Sequence, residues 1–299
     1  GRHTLLARAG KSALQQGWAY GEALRAGGGD VRRAVAYARD GRPVALAQIV
    51  RRRLLGPFRA AFLLRGPVWL DEAARATHEA ALLEVLRRSL PRTALVWMPE
   101  LPGPLARLHD RRPVISAYST AWLGLGRELA AIRAGLHGKW RSTLVRAEAA
   151  GLTIDACRGG ALVAWLLREN ERHRRKAGYQ GPRPAFLRTL VQTAEEAREL
   201  LLLIAREGAE PVAGVLVVIH GSAATYELGY TSPRGRELRA HHLLLWRAVE
   251  QLKARGVGWL DLGGVATDRT PGIARFKLGM GGEVATLAGT WLLPPRWRG

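Results

Sequence analysis

The segment 258–283 holds the residues of this chain that are best suited to chemistry. Its single lysine, Lys277, follows Phe276 and precedes a cluster of glycines at positions 279, 281 and 282. A lysine between an aromatic side chain and turn glycines can deliver one positive charge to a defined point, where it would stabilise negative charge that develops on an oxygen. A glycine-rich turn with a solvated lysine is the alternative interpretation of the same residues.

A short apolar run at 259–262 leads into this segment and carries one acid, Asp261, before Gly263 and Gly264. Paired glycines at the end of a strand let a ligand approach the backbone closely. Asp261 is therefore a candidate base or orienting group. A structural role, in which the carboxylate only fixes the turn, fits the sequence as well.

An internal repeat predicts how the chain positions these residues. The stretch 38–45, with an Asp-Gly turn, is echoed by 205–213, with a Glu-Gly turn. An acid–glycine pair between apolar runs is a signal for a β-hairpin. A helix and a further strand follow each hairpin, at 71–90 and 94–98 in the first copy and at 239–255 and 259–262 in the second. This pattern predicts two α/β domains of one architecture.

Two helices are predicted around this repeat. Residues 136–148 carry apolar side chains at helical spacing, with Lys139, Arg141 and Arg146 at the start and flank of the helix. Residues 12–15 fit a capping box, which predicts an N-terminal helix that begins there.

The composition indicates a globular protein with a strong attraction for polyanions. The 299 residues are 47% hydrophobic and carry a formal charge of +21, with 41 arginines and five lysines. Nucleic acid, anionic lipid and phosphorylated substrates would all respond to such a field, although a simple preference for arginine also explains it. The single cysteine, Cys157, excludes an internal disulfide. No apolar run approaches the roughly 20 residues of a membrane span, and no signal-peptide pattern is present, so we expect a cytoplasmic protein.

In their order and spacing, these features resemble the FemABX family. The resemblance runs over nearly the whole chain and is carried by short motifs at 15–18, 65–67, 139–141, 146–152, 226–230, 243–246, 261–264 and 275–279. It implies an α/β protein of two tandem domains that are GNAT-like (acyl-CoA N-acyltransferase-like), each a mixed sheet flanked by helices. The first domain would span 1–135 and be joined by a returning C-terminal strand within 284–299. The second, at 136–283, would carry the catalytic segment.

The resemblance also implies an activity. Family members are non-ribosomal peptidyltransferases that move an aminoacyl group from aminoacyl-tRNA to an amine of a peptidoglycan precursor, forming an amide. Lys277 matches the family's lysine, and Phe276 and Asp261 complete the candidate catalytic set. The tRNA would be a co-substrate, so no cofactor is expected. The precursor would be UDP-linked or lipid-linked, and no stable protein partner is predicted. The positive charge is also compatible with peripheral contact with the anionic face of the inner membrane.

The candidate substrate-binding residues divide into two groups. For the precursor, the family uses an arginine and a tyrosine one helical turn apart, a spacing that Arg175 and Tyr179 share. An arginine fork suits phosphate or carboxylate. The other candidates are Tyr226, Tyr230, Lys139, Arg141 and Arg146. The sequence departs from the family near Glu22, where members often carry a lysine that contacts a diphosphate.

Three alternatives remain at the level of sequence. An acyl-CoA-dependent N-acyltransferase of the same fold would cradle a pyrophosphate at 234–241, but Glu237 would place negative charge beside it. A metal site at His241 and His242 is disfavoured, because adjacent helical positions point in different directions. A basic nucleic-acid-binding protein without catalysis would explain the charge but not the segment 258–283.

Overall fold

The computed structural model describes residues 2–54, 56, 58–100, 113–115, 117–157, 159–178, 181–266 and 270–295. In the first part of the chain the elements are α1 (Arg2–Arg8), a 3-10 turn (Leu14–Gln16), α2 (Trp18–Ala26), β1 (Asp30–Tyr37), β2 (Pro43–Arg53), β3 (Arg59–Leu64), β4 (Val68–Trp69), α3 (Glu72–Ser89), β5 (Thr93–Met98) and β6 (Ser119–Gly124). Then follow α4 (Leu129–Ala134), α5 (Gly138–Glu148), β7 (Thr153–Cys157), α6 (Ala161–Ala177), α7 (Pro184–Glu196), β8 (Leu200–Glu207), β9 (Glu210–His220) and β10 (Ala223–Thr231). The last elements are α8 (Pro233–Glu237), α9 (Ala240–Ala254), β11 (Trp259–Gly264), α10 (Pro271–Leu278), β12 (Glu283–Thr286) and β13 (Trp291–Leu293).

The chain divides into two compact units. Unit 1 comprises Gly1–Ser119, His220–Ser222 and Ala285–Gly299, and unit 2 comprises Thr120–Ile219 and Ala223–Val284. One sheet runs in the order β1-β2-β3-β5-β13, with β4 paired to β2. The other runs in the order β12-β6-β11-β10-β9-β8-β7. Each sheet is mixed, because β3 pairs with β5 and β10 pairs with β11 in parallel, whereas hairpin neighbours are antiparallel.

The predicted internal repeat is visible in this topology. The hairpins β1–β2 and β8–β9 both turn at a glycine with positive φ, Gly41 at +81° and Gly208 at +60°. That left-handed conformation suits glycine, which has no Cβ to clash with the backbone. A helix, α3 or α9, then connects each pair of parallel strands, as a parallel crossover requires. The two α/β units therefore share one order of elements.

The boundary between the units differs from the sequence-based one at 135/136. Residues 120–135 belong to unit 2, because β6 pairs antiparallel with β11 and extends the second sheet. At the other end of the chain, β13 pairs with β5 in the first sheet.

Each unit is built on its own apolar core. In unit 2 the buried faces of α5 and α9 pack on the sheet through Trp140, Leu144 and Trp246, among others. In unit 1 the core includes Leu63 and Trp97, both fully buried. Close packing of such side chains makes each sheet a rigid support for the loops at its ends.

Two motifs of the sequence meet at a buried amide network in unit 1. The side chain of Gln16 donates to the carbonyls of Gln48 and Leu64, at 3.2 and 2.8 Å, and accepts from the backbone nitrogen of Gln48 at 2.7 Å. A Cβ at Gly66 would lie 2.7 Å from the Gln16 amide nitrogen, so the glycine is needed for this fit. The indole of Trp97 donates to the Gly66 carbonyl at 2.8 Å. Motifs 15–18 and 65–67 thus stabilise each other.

The predicted capping box at 12–15 is wrong. A 3-10 turn occupies Leu14–Gln16, and α2 begins after Gly17, which makes no side-chain cap. The Ser12 hydroxyl instead lies 3.3 Å from Nδ1 of His220 and donates to the carbonyl of that residue at 3.2 Å. A tertiary contact has replaced the local one that the sequence suggested.

No helix in the described part of the chain is both long enough and apolar enough to cross a bilayer.

Replacing Gln16 tests the amide network. We expect Gln16→Leu to lower the free energy of unfolding by about 2–4 kcal/mol, because several buried backbone groups lose their partners at once. Urea denaturation would measure the change. The matched control is Gln192→Leu, which removes only an exposed hydrogen bond to Glu196 and should stay within about 0.5 kcal/mol of the wild type. Equal losses in the two variants would contradict a supporting role for Gln16.

Candidate active site

A separation between two parallel strands forms the base of the candidate site in unit 2. Strands β10 and β11 are paired only from Ala223 to Thr225, opposite Trp259 to Asp261. Beyond these pairs β10 continues to Thr231 and β11 continues to Gly264. The backbone groups that face this gap are therefore available to other partners.

Lys277 fills the gap from the adjacent helix α10. Its Nζ donates to the Gly264 carbonyl at 3.0 Å and lies 5.9 Å from the ring centre of Tyr226. The glycine at 263, with φ of +76°, makes room, because a Cβ there would be 3.3 Å from Nζ. Burial lowers the pKa of Lys277, and the charge of Asp261 opposes that shift. The half-buried ammonium group is thus fixed at one point, as the sequence suggested.

Asp261 supports the turn rather than the cavity. Its side chain is fully buried, and Oδ1 accepts from the Thr120 hydroxyl at 2.5 Å and from the Gly263 amide at 2.8 Å. This arrangement matches the structural interpretation of the acid. Its charge still reaches Lys277 through the electrostatic interaction described above.

A cavity of about 340 Å³ opens beside Lys277 and is lined by both candidate tyrosines, Tyr226 and Tyr230. The positively charged residues of its lining are Arg236, in the last turn of α8, and Arg239, the residue before α9. Phe276 and Ile273 supply an apolar wall. This combination suits a substrate with a polar or anionic part next to an apolar one.

His241, which the sequence did not single out for catalysis, lines this cavity and is hydrogen-bonded to two residues of β10. His241 Nε2 lies 2.8 Å from the Tyr226 hydroxyl, and His241 Nδ1 lies 2.8 Å from the Thr231 hydroxyl. Burial, with a smaller contribution from His242, lowers the pKa of His241 to about 4. The imidazole is therefore neutral at pH 7. No spacing rule links a strand tyrosine to a helix histidine 15 residues later, so only the fold reveals the pair.

A second cavity, of about 750 Å³, also borders Phe276. Its lining includes Lys139, Trp140 and Arg275, and it shares Phe276, His242 and Gly272 with the first cavity. The ring of His242 packs against Trp140 and Phe276, with centroids 4.8 and 4.9 Å apart. Burial also lowers the pKa of His242 to about 4. The two adjacent histidines thus serve different contacts, and in the described residues no three metal-binding side chains cluster.

A second residue that sequence reasoning missed is Glu227. It lies two positions beyond Thr225, whose partner is Asp261, so strand alternation places Glu227 and Asp261 on the same face of the sheet. Burial, followed by the charge of Asp261, raises the pKa of Glu227 to about 7. This carboxyl group therefore changes its charge near neutral pH.

Among the described residues, the predicted Arg175, Arg141 and Arg146 do not line the cavity beside Lys277. The side chain of Arg175 is 75% exposed and forms an ion pair with Glu171 at 2.7 Å. Tyr179 lies outside the described residues. On α5, Arg141 donates to the carbonyls of Ala134 and Leu136, and Arg146 is exposed in the last turn. These positions follow the helix surface and not the gap between the strands.

The stretch 234–241, considered above for a pyrophosphate, begins with a short capped helix. The hydroxyl of Ser232 already accepts from the amide of Gly235 at 3.0 Å. Arg234 is bound to Glu207 and Glu237. The charge of Glu237 is therefore neutralised by a neighbouring arginine rather than left beside a ligand.

Comparison with a family model agrees with this geometry. Residues 133–278, almost all of unit 2, match the model of the acetyltransferase (GNAT) domain. Unit 2 carries a GNAT domain. The activity class that follows is acyl transfer, and the gap, the lysine and both cavities all lie within this GNAT domain.

Solved structures extend the likeness to the whole chain. FemX is 14% identical, with a TM-score of 0.81 over 97% of this chain and 94% of its own. The C-terminal domain of a putative lysylphosphatidylglycerol synthetase from Agrobacterium fabrum is 17% identical, with a TM-score of 0.54 over 96% and 91%. A tandem GNAT protein from the clavulanic acid biosynthesis pathway is 16% identical, with a TM-score of 0.51 over 89% and 83%. No curated protein matches the chain in sequence.

These likenesses concern the fold. They confirm the predicted pair of tandem GNAT-like domains and, at the level of the fold, the resemblance to the FemABX family.

Glu227 makes the stability of the protein depend on pH. Because its folded pKa of about 7 lies above the ordinary value of 4.5, the carboxyl group favours folding below pH 4.5 and loses that contribution as the pH rises through 7. We therefore expect Glu227→Gln to equal the wild type near pH 4 and to exceed it by roughly 3 kcal/mol near pH 8.5. Urea denaturation across this range would measure the difference, with the exposed Glu210→Gln as the control. A difference that does not vary with pH would contradict the argument.

Proposed function

We propose that this chain transfers an aminoacyl group from aminoacyl-tRNA to an amine of a peptidoglycan precursor. The observation that carries the proposal is the ammonium group of Lys277, held in the gap between β10 and β11 at the edge of a cavity. The FemX-like fold of the whole chain supports the same activity.

The proposed reaction needs a cation at this point. When an amine attacks the ester carbonyl of an aminoacyl-tRNA, negative charge develops on the carbonyl oxygen. A donor placed at that oxygen in advance stabilises the transition state by about 3–4 kcal/mol in well-studied enzymes. Lys277 would provide this donor, and its partial burial strengthens the interaction, because water screens the charge less there.

The two cavities suit two substrates that meet at α10. Both cavities include Phe276, the residue before the lysine. Groups held in the two cavities would therefore come together beside Lys277. The larger cavity presents Lys139 and Arg275, two cations that suit the phosphates of a single-stranded RNA end. We assign it to the acceptor end of the tRNA.

The smaller cavity would then hold the amine acceptor. Arg236 and Arg239 are suited to an anionic group of a muramyl peptide. In unit 1, where the sequence departs from the family near Glu22, the Glu22 carboxylate forms ion pairs with Arg25 and Arg33 at 2.8 and 2.7 Å. A diphosphate contact at that point would need a different donor from the family's lysine. A lipid acceptor should also be offered in a transfer assay, because one structural neighbour is named a putative lysylphosphatidylglycerol synthetase.

The second candidate function is acyl-CoA-dependent N-acylation. The match to an acetyltransferase domain favours it, as do Arg236 and Arg239 in the lining of the smaller cavity. The amide of Gly235 is already bound to Ser232, which removes one backbone donor that a pyrophosphate would use.

A transfer assay with purified protein would separate these functions. Labelled aminoacyl-tRNA pools and labelled acetyl-CoA would each be offered with UDP-linked muramyl pentapeptide, with its lipid-linked form, or with phosphatidylglycerol vesicles. Label that moves from tRNA to a muramyl peptide would establish the proposed function. Label that moves only from acetyl-CoA would replace it with the second candidate, and label that moves to the vesicles would reassign the acceptor.

Replacing Lys277 tests whether its ammonium group takes part in the reaction. We expect Lys277→Met to reduce turnover about 100- to 1,000-fold with little change in thermal stability, because the oxyanion loses its donor. The matched control is Lys253→Met. Like Lys277, Lys253 lies in unit 2 and donates to a backbone carbonyl, that of Leu125 at 3.4 Å. It lies on α9 and lines neither cavity. A folded Lys277→Met protein with normal turnover would remove the lysine from the mechanism.

A pair of glycines tests the placement of the lysine. Gly263 and Gly256 have nearly the same φ, +76° and +75°, but only at Gly263 would a Cβ contact Lys277. We expect both Ala variants to lose about 1 kcal/mol of stability from backbone strain. Only Gly263→Ala should also lose turnover, by about tenfold or more, because its methyl group displaces the ammonium. Equal turnover in the two variants would show that the exact position of Nζ is unimportant.

A further inference from the structure

The attacking amine must lose a proton, and none of the features assigned so far accepts it. Asp261 is fully buried and holds the turn at Gly263, so it is not presented to a substrate. Glu227 lies on the Asp261 face of the sheet, opposite to its neighbour Tyr226. Lys277 is a cation. The proton acceptor must therefore be sought among the other groups that line the smaller cavity.

We propose that Tyr226, His241 and Thr231 form a proton relay for the proposed transfer reaction, in which Tyr226 contacts the attacking amine and His241 acts through Tyr226. The inference rests on the proposed function. All three residues line the smaller cavity together with Lys277. Two hydrogen bonds of 2.8 Å connect them in the order tyrosine, histidine, threonine.

The chemistry of the three groups fixes the direction of the relay. A phenol is a stronger acid than an alcohol, and an alcohol oxygen is the better acceptor. The Tyr226 hydroxyl therefore donates to Nε2 of His241, and Nδ1–H of His241 donates to the Thr231 hydroxyl. His241 is neutral at pH 7, so Nε2 has a lone pair that can take the proton of the tyrosine, and the lowered pKa favours the return of that proton.

Space around the hydrogen bond between Tyr226 and His241 depends on one glycine. A Cβ at Gly229 would lie 2.3 Å from the tyrosine hydroxyl and 2.5 Å from Cε1 of His241. Any side chain at this position would separate the two rings. The glycine therefore preserves the contact between Tyr226 and His241. The two rings also pack edge-on, with centroids 5.8 Å apart.

The amine nitrogen bonds to the acyl carbon and passes its proton to Oη of Tyr226, whose own proton moves to Nε2 of His241. When the bond between the acyl carbon and the ribose oxygen breaks, the proton returns through Tyr226 to that leaving oxygen. Lys277, 5.9 Å from the centre of the Tyr226 ring, would stabilise the negative oxygen in between.

Kinetics of two single variants and their combination would test the relay. His241→Gln can still accept a hydrogen bond from the tyrosine but cannot take its proton, and Tyr226→Phe removes the link. We expect each to lower kcat about 100-fold or more, with KM for both substrates changed less than about threefold. The double variant should be no slower than the slower single variant, because the two groups act as one unit. The control, His78→Gln in unit 1, should be unaffected. Normal kcat in His241→Gln, or losses that multiply in the double variant, would overturn the relay.

A tautomer measurement tests the relay without any turnover. In protein labelled with ¹⁵N-histidine, the His241 signals are those missing from His241→Gln. We expect Nε2 without a proton and Nδ1 with one at pH 7. A proton on Nε2 would reverse the hydrogen bonds and overturn the relay. If the wild type transfers no aminoacyl group, the proposed function fails on its own, and this measurement still decides the direction of the hydrogen bonds.

Discussion

The site depends on the early separation of β10 and β11. The two strands pair over three residues and then part, although both continue beyond that point. Parallel strands that separate leave backbone groups on their facing edges without a neighbouring strand, so these groups can bind other donors and acceptors. Here the Gly264 carbonyl receives the ammonium group of Lys277. The lysine that lies in this gap also lines the smaller cavity, so the cation is placed directly beside the space for a substrate.

Burial then sets the charge of each group around the gap. It lowers the pKa of Lys277 and of both adjacent histidines and raises that of Glu227. Each shift reflects the cost of placing a charge where little water reaches it. At pH 7 the two imidazoles are consequently neutral, and for the lysine the nearby Asp261 opposes the effect of burial. The site thus places a basic nitrogen next to neutral imidazoles.

The sequence predicted those parts of the site that local rules determine. Acid–glycine turns, a strand that ends in paired glycines and a lysine between an aromatic residue and a glycine cluster are all written in consecutive residues. The contact between Tyr226 and His241 is not, because it requires the crossover between β10 and α9 to bring strand and helix together. The N-terminal capping pattern failed for the same reason, since Ser12 is bound to His220, more than 200 residues away. Arg175 was selected by its spacing within a helix, which says nothing about whether that helix faces the gap.

The repeated architecture also explains why the candidate site lies in unit 2. In unit 1 the corresponding parallel strands, β3 and β5, pair along their whole length, from Arg59 to Leu64 opposite Thr93 to Met98. Their central side chains, including Leu63 and Trp97, are fully buried in the core of that unit. With no separation between the strands, the described part of unit 1 offers neither free backbone groups nor an opening at the equivalent place. The same order of elements therefore forms a sheet whose parallel strands stay paired in unit 1 and a sheet whose parallel strands separate in unit 2. The difference comes from how far two parallel strands remain paired.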